Sequence, residues 1–377
     1  MIKKLSYGNA FQTYTSIFAL TLVAALVSYL FWNLMMPRMD FYNNLWGPVH
    51  LLVQGKSPYE TTSLNPILPA IWFPMVIGVF FPLGWLSENL SLQVWFIFNI
   101  IELCGIVYLA QGDRRSLFNT IILALLCFFF PFVLNNYNLG QFSITAMLCM
   151  MLSSYFADSR RDWLAAFFLA LALSKPQLGI VAVFGLSVFY FQRNGFKGVF
   201  CFGLQTFTMA LLTSLPLFIF YPVWIPDWVR SFQSNHGWLH PSLFSILNHS
   251  MGIFGVFIWA AIFILALGVA RQLWIKFPPA VAMLWSLGIT TIITPYIWSW
   301  DFVLLLPIWI STFARADWKR KLFLLTFYGV AWYGMALVQM QQAGDNSLFW
   351  WVPLCFIAVL VFVTDWKADW LGGNPTS

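Results

Sequence analysis

Thirteen apolar runs dominate the chain, near residues 16–36, 66–86, 91–111, 117–134, 141–157, 163–174, 177–191, 198–220, 252–274, 279–294, 302–314, 321–340 and 348–364. A crossing helix needs about 20 apolar residues, with about 17 as the usual lower limit. Several runs are shorter, so they must be tilted, buried among neighbours or matched by a locally thinned bilayer. One run differs in kind. The stretch 66–86 carries Pro66, Pro69, Pro74 and Pro82, and repeated prolines remove backbone donors, which lipid tolerates poorly unless protein satisfies the freed carbonyls. It is expected to be a re-entrant or interfacial element, which leaves about twelve runs that cross. The pattern predicts an all-α polytopic membrane protein forming a single integral-membrane domain over residues 1–377, with no internal repeat or low-complexity tract. The first run follows Lys3 and Lys4 but ends on Tyr29, Leu30, Phe31 and Trp32. Those bulky residues leave no small-residue cleavage site, so the run reads as an uncleaved first helix and not as a signal peptide.

Composition agrees. Hydrophobic residues make up 60% and charged residues 8%, against roughly 45–50% and about 25% in soluble proteins. Aromatics at 20%, with 21 Trp and 40 Phe, suit a lipid-facing surface with interfacial anchors. The net charge of +6 does not point to nucleic acid, because no Lys/Arg stripe forms on one amphipathic face. It points to orientation instead. If 66–86 crossed, Arg114, Arg115, Arg160 and Arg161 would fall outside, against the positive-inside rule. If it does not cross, fifteen basic residues lie inside (Lys3, Lys4, Arg114, Arg115, Arg160, Arg161, Arg193, Lys197, Arg271, Lys276, Arg315, Lys319, Arg320, Lys321, Lys367). Only Arg38, Lys56, Lys175 and Arg230 then lie outside. The expected placement is the cytoplasmic (inner) membrane, with both termini cytoplasmic. Cys104, Cys127, Cys149, Cys201 and Cys355 sit in apolar segments without metal-type spacing, as small buried hydrophobes do.

In this orientation the outer face collects the polar residues, including all four histidines (His50, His236, His240, His249). The cytoplasmic connections hold no glycine-rich phosphate loop. In the first outer loop, 37–65, Phe41, Leu45, Val49 and Leu52 recur at helical spacing around Gly47–Pro48. This predicts two short amphipathic helices on the membrane surface. Asp40 opens them: it is either a general base at a membrane boundary or a charge that ends a helix. The stretch NNYNLGQFS, Asn135 to Ser143, offers Asn138 and Gln141 at a turn. Amides there would meet a polyhydroxyl ligand or merely cap a helix–helix turn. In SKPQ, Lys175 sits at membrane depth between inside charges. Such a lysine is expensive and invites a partner, for which a phosphate is the natural choice; the alternative is snorkelling to the surface. In TPYIWSWD, Thr294 to Asp301, Tyr296, Trp298 and Trp300 offer stacking faces beside Asp301, which is either a sugar ligand or a helix N-cap. Glu102, inside an apolar run, is either a buried partner or a site residue.

Together, Asp40–Phe41, GKSPYE (Gly55 to Glu60), the proline-rich segment, NLGQFS, SKPQ and TPYIWSWD, in this order, resemble glycosyltransferase family 87 over most of the chain. The resemblance implies a glycosyltransferase C-like fold. It also implies an enzyme that uses a polyprenyl-phosphate sugar, often mannose, at the outer face without a nucleotide site. By that resemblance Asp40 is the catalytic base and Lys175 neutralises the donor phosphate, while Asn138, Gln141, Tyr59, Trp298 and Asp301 line the sugar and acceptor sites. The expected partners are a polyprenyl-phosphate sugar donor, a glycolipid or glycan acceptor and membrane lipid. No cofactor is expected. The usual second acidic residue or histidine near the base has no matching pattern here beyond His50 and Glu60, so a divalent metal is left open. The alternative activity is a transporter or flippase of lipid-linked saccharides, against which stand the lack of repeats and the gathering of polar residues on one face.

Overall fold

The computed structural model describes residues 7–31, 40–61, 70–233, 239–341 and 346–366. Lys3, Lys4, Arg38, His236, Lys367 and the part of the proline-rich segment with Pro66 and Pro69 lie outside them. Among the described residues all regular structure is helical. Helix α1 (Tyr7–Phe31) is followed by a wide π-turn, Phe41–Trp46, and α2 (Gly47–Val53). The proline-rich run becomes two short pieces, α3 (Pro74–Val79) and a 3-10 turn, Phe81–Trp85. The chain continues through α4 (Glu88–Gln111), α5 (Leu117–Phe128), α6 (Pro131–Leu139), α7 (Ser143–Asp158), α8 (Asp162–Ala172) and α9 (Ile180–Thr213). Next come α10 (Leu215–Phe220), α11 (Trp224–Gln233), α12 (Leu243–Met251), α13 (Ile253–Lys276) and α14 (Pro279–Ile293). A 3-10 turn, Ser299–Leu305, leads to α15 (Leu306–Arg315), α16 (Trp318–Gln341) and α17 (Trp351–Val363).

Five helices are long and apolar enough to cross a bilayer: Gln12–Leu30, Glu88–Arg114, Ile180–Thr213, Ile253–Lys276 and Trp318–Met340. A sixth follows if Leu117–Phe128 and Pro131–Leu139, bent by 56°, count as one span. The protein is thus a membrane protein, and among the described residues five or six helices have the length to cross alone, so a count of twelve crossings is not shown. The runs 141–157, 163–174, 279–294, 302–314 and 348–364 form helices of 10 to 16 residues. Several are core helices: α7, α14 and α15 bury residues around most of their circumference, and apolarity alone does not separate a core helix from a crossing one. The long helices carry the lipid-type surface, with Phe18, Phe200, Phe257, Leu265 and Val330 all exposed.

Helix α9 is not a single rod. Gly195 adopts a left-handed φ of 61°, and the Tyr190 and Phe202 rings stack at 4.1 Å across the turn. In a straight helix residues so far apart in sequence would be about 18 Å apart along the axis. The chain therefore folds sharply, and the runs 177–191 and 198–220 return as its two arms.

Helix α7 is the centre of the bundle, packing on α4, α8, α14 and the Ser299–Leu305 turn. Small residues let backbones approach there: Ala157, Ala165, Ala166 and Ala170 are buried, and the Ser153 hydroxyl donates to the Ala165 carbonyl at 2.9 Å. Such small-residue interfaces are how helices pack where lipid leaves no hydrophobic driving force between them. The expected amphipathic stripe Phe41, Leu45, Val49, Leu52 is fully buried. The π-turn and α2 thus pack on protein, against α4 and Phe81–Trp85, and do not merely lie on lipid.

A tight joint fixes the proline-rich segment. A Cβ added at Gly78 would lie 1.8 Å from the backbone oxygen of Thr213, whereas one at Gly203 would meet nothing within 4 Å. Gly78→Ala is expected to destabilise the protein by about 1–3 kcal/mol, the usual range for overpacking, and Gly203→Ala to leave it unchanged. Thermal unfolding in detergent micelles checks both.

Candidate active site

The polar residues meet at the start of α7, brought there by four chain breaks. Helix α6 stops at Gly140, whose left-handed φ of 68° suits glycine at a helix end. The Gln141 N–H then closes the turn on the Asn136 carbonyl at 3.0 Å. Pro176 disfavours helix at the preceding residue, so Lys175 leaves the helical region (φ −120°, ψ 79°) just after α8 ends. Pro295 does the same for Thr294 (ψ 133°), and the Thr294 hydroxyl donates to the Gln177 carbonyl at 3.1 Å, tying the third break to the second. The fourth is the proline-rich segment, where the Phe73 N–H donates to the Ser174 carbonyl at 3.1 Å.

Lys175 is 5% exposed and Asp301 is 0% exposed. The ammonium donates to Asp301 Oδ1 at 3.0 Å, to Gln141 Oε1 at 2.7 Å and to Ser143 Oγ at 3.2 Å. An ammonium has three protons, so its donors are filled. The Ser143 hydroxyl also donates to Asp301 Oδ1, and Asp301 Oδ2 accepts the Trp298 N–H at 3.1 Å. Asp301 therefore serves both as a cap of its 3-10 turn and as a buried counter-ion. Gln141 passes the network on, because its Nε2 donates to Asp40 Oδ2.

Asp40 is half-buried at the start of the π-turn, and π-turns recur at functional sites. Its Oδ1 accepts from Asn44 Nδ2 at 3.2 Å, and Asn44 Oδ1 in turn accepts the Ile71 N–H at 2.9 Å. Burial raises the Asp40 carboxyl from the ordinary 3.8 to about 6; Lys175 and the bonds from Gln141 and Asn44 oppose this, and Asp301 adds to it.

The structure thus brings together Asp40, Gln141, Lys175 and Asp301. It does not bring Asn138, which is exposed; its neighbour Asn136 faces inward and donates to the Trp300 carbonyl at 3.0 Å. The Lys175 ammonium faces the Asp301 carboxylate, the Gln141 amide and the Ser143 hydroxyl. Tyr59 is buried one step behind, its hydroxyl donating to the carbonyl of Trp72 at 3.3 Å, and the Trp72 ring lies 5.7 Å from the Lys175 ammonium. Trp298 stacks on Trp300 at 4.9 Å, and His240 lies edge-on to Trp298 at 4.7 Å and to Tyr296 at 4.2 Å. Neither candidate helper of the base stands beside it. His50 bonds the Gly84 carbonyl and Gln54 and stacks on Trp46, and Glu60 is exposed. Glu102 accepts from the Thr145 hydroxyl at 2.8 Å as a buried partner within the bundle. Among the described residues no three His, Cys, Asp or Glu side chains stand together to hold a metal ion.

Sequence reasoning missed Asn44, Ser143, Asn136 and His240. Asn44 was readable as the residue one helical turn after Asp40, and Ser143 as the residue that opens α7. His240 carries no local signal.

The family model Glycosyltransferase family 87 matches residues 70–298. Gln141, Lys175 and Trp298 fall inside that stretch, Asp40 and Tyr59 before it and Asp301 just after it. No curated protein and no solved structure matches the chain.

Removing one partner of a buried pair leaves an uncompensated charge. Asp301→Ala is expected to cost about 3–5 kcal/mol, while the half-exposed pair of Arg193 and Asp162, at 3.1 Å, is worth no more than about 1 kcal/mol. Thermal unfolding of Asp301→Ala beside Arg193→Ala, which leaves the bond from the Tyr190 hydroxyl to Asp162 in place, checks the contrast.

Proposed function

The chain belongs to glycosyltransferase family 87, and from that membership we propose that it transfers a hexose, with mannose the first candidate, from a polyprenyl-phosphate donor to a glycolipid or glycan acceptor at the outer face of the cytoplasmic membrane. One observation carries the reading. A carboxylate at the edge of a polar, charge-balanced network is oriented by two amides and raised to about 6, as suits a general base working near neutral pH.

In this scheme the acceptor hydroxyl gives its proton to an oxygen of Asp40 as its oxygen attacks the anomeric carbon. The new carbon–oxygen bond forms as the bond to the phosphate oxygen breaks, the electron pair leaves with polyprenyl phosphate, and the anomeric configuration inverts. Unpartnered buried polar atoms flank the network: both side-chain atoms of Asn43, Asn136 Oδ1, Ser174 Oγ, His240 Nδ1 and Trp300 Nε1. Orphaned polar groups in a buried setting are costly unless something pairs with them, and a sugar's hydroxyls would. Trp298, Trp300 and His240 add ring faces for the pyranose.

The test uses protein in lipid nanodiscs, radiolabelled polyprenyl-phosphate mannose and an envelope lipid extract. Asp40→Asn is expected to lower transfer by about 10²–10⁴-fold with expression intact; unchanged transfer would remove Asp40 as the base. The base works deprotonated, so its raised pKa puts the loss on the acid side. Transfer by the wild type should fall about tenfold per pH unit below a limb near 6, and a limb at an ordinary aspartate value would contradict the site described.

A further inference from the structure

The orientation of a side-chain amide is usually ambiguous, since its oxygen and nitrogen can exchange places. At Gln141 it is not. Lys175 is only a donor, and its ammonium lies 2.7 Å from one end of the amide, so that end must be Oε1 and the end facing Asp40 must be the N–H. Lys175 in turn is held by Asp301, on the far side of the site from Asp40, through a direct ion pair and through Ser143. Asp301 is itself fixed by the Trp298 N–H. Donation starts at Lys175 and runs both ways, to Asp301, which also accepts the Trp298 N–H, and through Gln141 to Asp40; each inner member is buried.

We propose that Lys175 and Asp301 are positioning residues for the base. Lys175 fixes which face of the Gln141 amide Asp40 receives, and the two charges set, with opposite signs, the pH at which Asp40 becomes a base. This rests on Asp40 being the base of the proposed transfer. The charged groups that reach Asp40 are Lys175, which favours its ionised form, and Asp301, which disfavours it. Glu102, on the helix packed against the π-turn, bonds Thr145, and His50, on α2, bonds Gly84 and Gln54.

Lys175→Gln removes the favouring charge and the orienter of Gln141, so Asp40 should hold its proton to higher pH. Asp301→Asn keeps the shape but leaves Lys175 without its counter-ion. Asp40 then becomes the nearest partner for the ammonium and should lose its proton at lower pH. Only the Gln141 amide separates Lys175 from Asp40 and Asp301 stands one residue further on, so the two variants should fall on opposite sides of the wild type, with the larger displacement, about 1 pH unit or more, in Lys175→Gln. A lysine that only held the donor phosphate would predict something else: a raised donor KM in Lys175→Gln with the acid limb in place.

The experiment follows Asp40 in two ways in nanodiscs. One is the acid limb of transfer of polyprenyl-phosphate mannose. The other is the protonated-carboxyl infrared band, taken as a difference against Asp40→Asn in each background, which needs no turnover. Limbs and bands displaced upward in Lys175→Gln and downward in Asp301→Asn support the relay. Limbs that stay in place, or move the same way in both, overturn it. Bands that move as expected in protein that transfers nothing would keep the relay and remove the proposed function. Should either single variant fail to fold, Lys175→Gln combined with Asp301→Asn removes both charges and restores a neutral hydrogen-bonded pair. In that double variant the displacement should be smaller than in Lys175→Gln where that variant folds, or no more than about 1 pH unit where it does not; a larger displacement overturns the proposal.

Discussion

A buried ammonium is the constraint around which this bundle is arranged. Lys175 has almost no contact with solvent, and an uncompensated charge there would be prohibitive. Asp301 must therefore come to it from 126 residues away, and so must the two oxygens that take the remaining protons. Meeting those demands fixes the start of α7, the end of α8 and the end of α14 against one another. It also leaves Gln141 with its N–H facing outward, toward the carboxylate that opens the π-turn. A geometry of function is thus produced by the need to satisfy three protons.

Much of the site was legible because the chemistry that builds it also punctuates the chain. Gln141 and Lys175 sit beside Gly140 and Pro176, and Asp301 follows the break at Pro295 by six residues; breaks in apolar runs are what a sequence shows most clearly. Asp40 stood out for the same reason, as a lone acid opening a polar stretch. Asn138 and Asn136 show the limit. Both lie in the last turns of α6, and which of them points inward depends on the phase of a short helix whose ends are set by tertiary packing. His240 stands in the aromatic cluster just ahead of α12, whose start is tied to the third break by the Ser242 hydroxyl donating to the Pro295 carbonyl at 3.0 Å, a contact no local pattern shows.

The fold was legible in class and less so in count. The proline-rich run did break into short pieces, as its composition required. The shorter runs form helices of 10 to 16 residues, several of them buried among their neighbours, one of the ways a run too short to cross alone is accommodated. The stripe in the first loop was correctly phased but assigned the wrong companion. Apolar spacing shows that a face will be covered, not whether lipid or protein covers it.

The separation between Lys175 and Asp301 also bears on how the molecule is made. A membrane chain is threaded in from its N-terminus, so the lysine enters well before its counter-charge has been synthesised. Until α14 and the turn after it arrive, the half-built bundle holds a cation that hydrocarbon disfavours. The 300 residues before Asp301 are in this sense an incomplete electrolyte. Closure of the ion pair then marks the step at which the nascent bundle stops being a provisional assembly and becomes a self-consistent one.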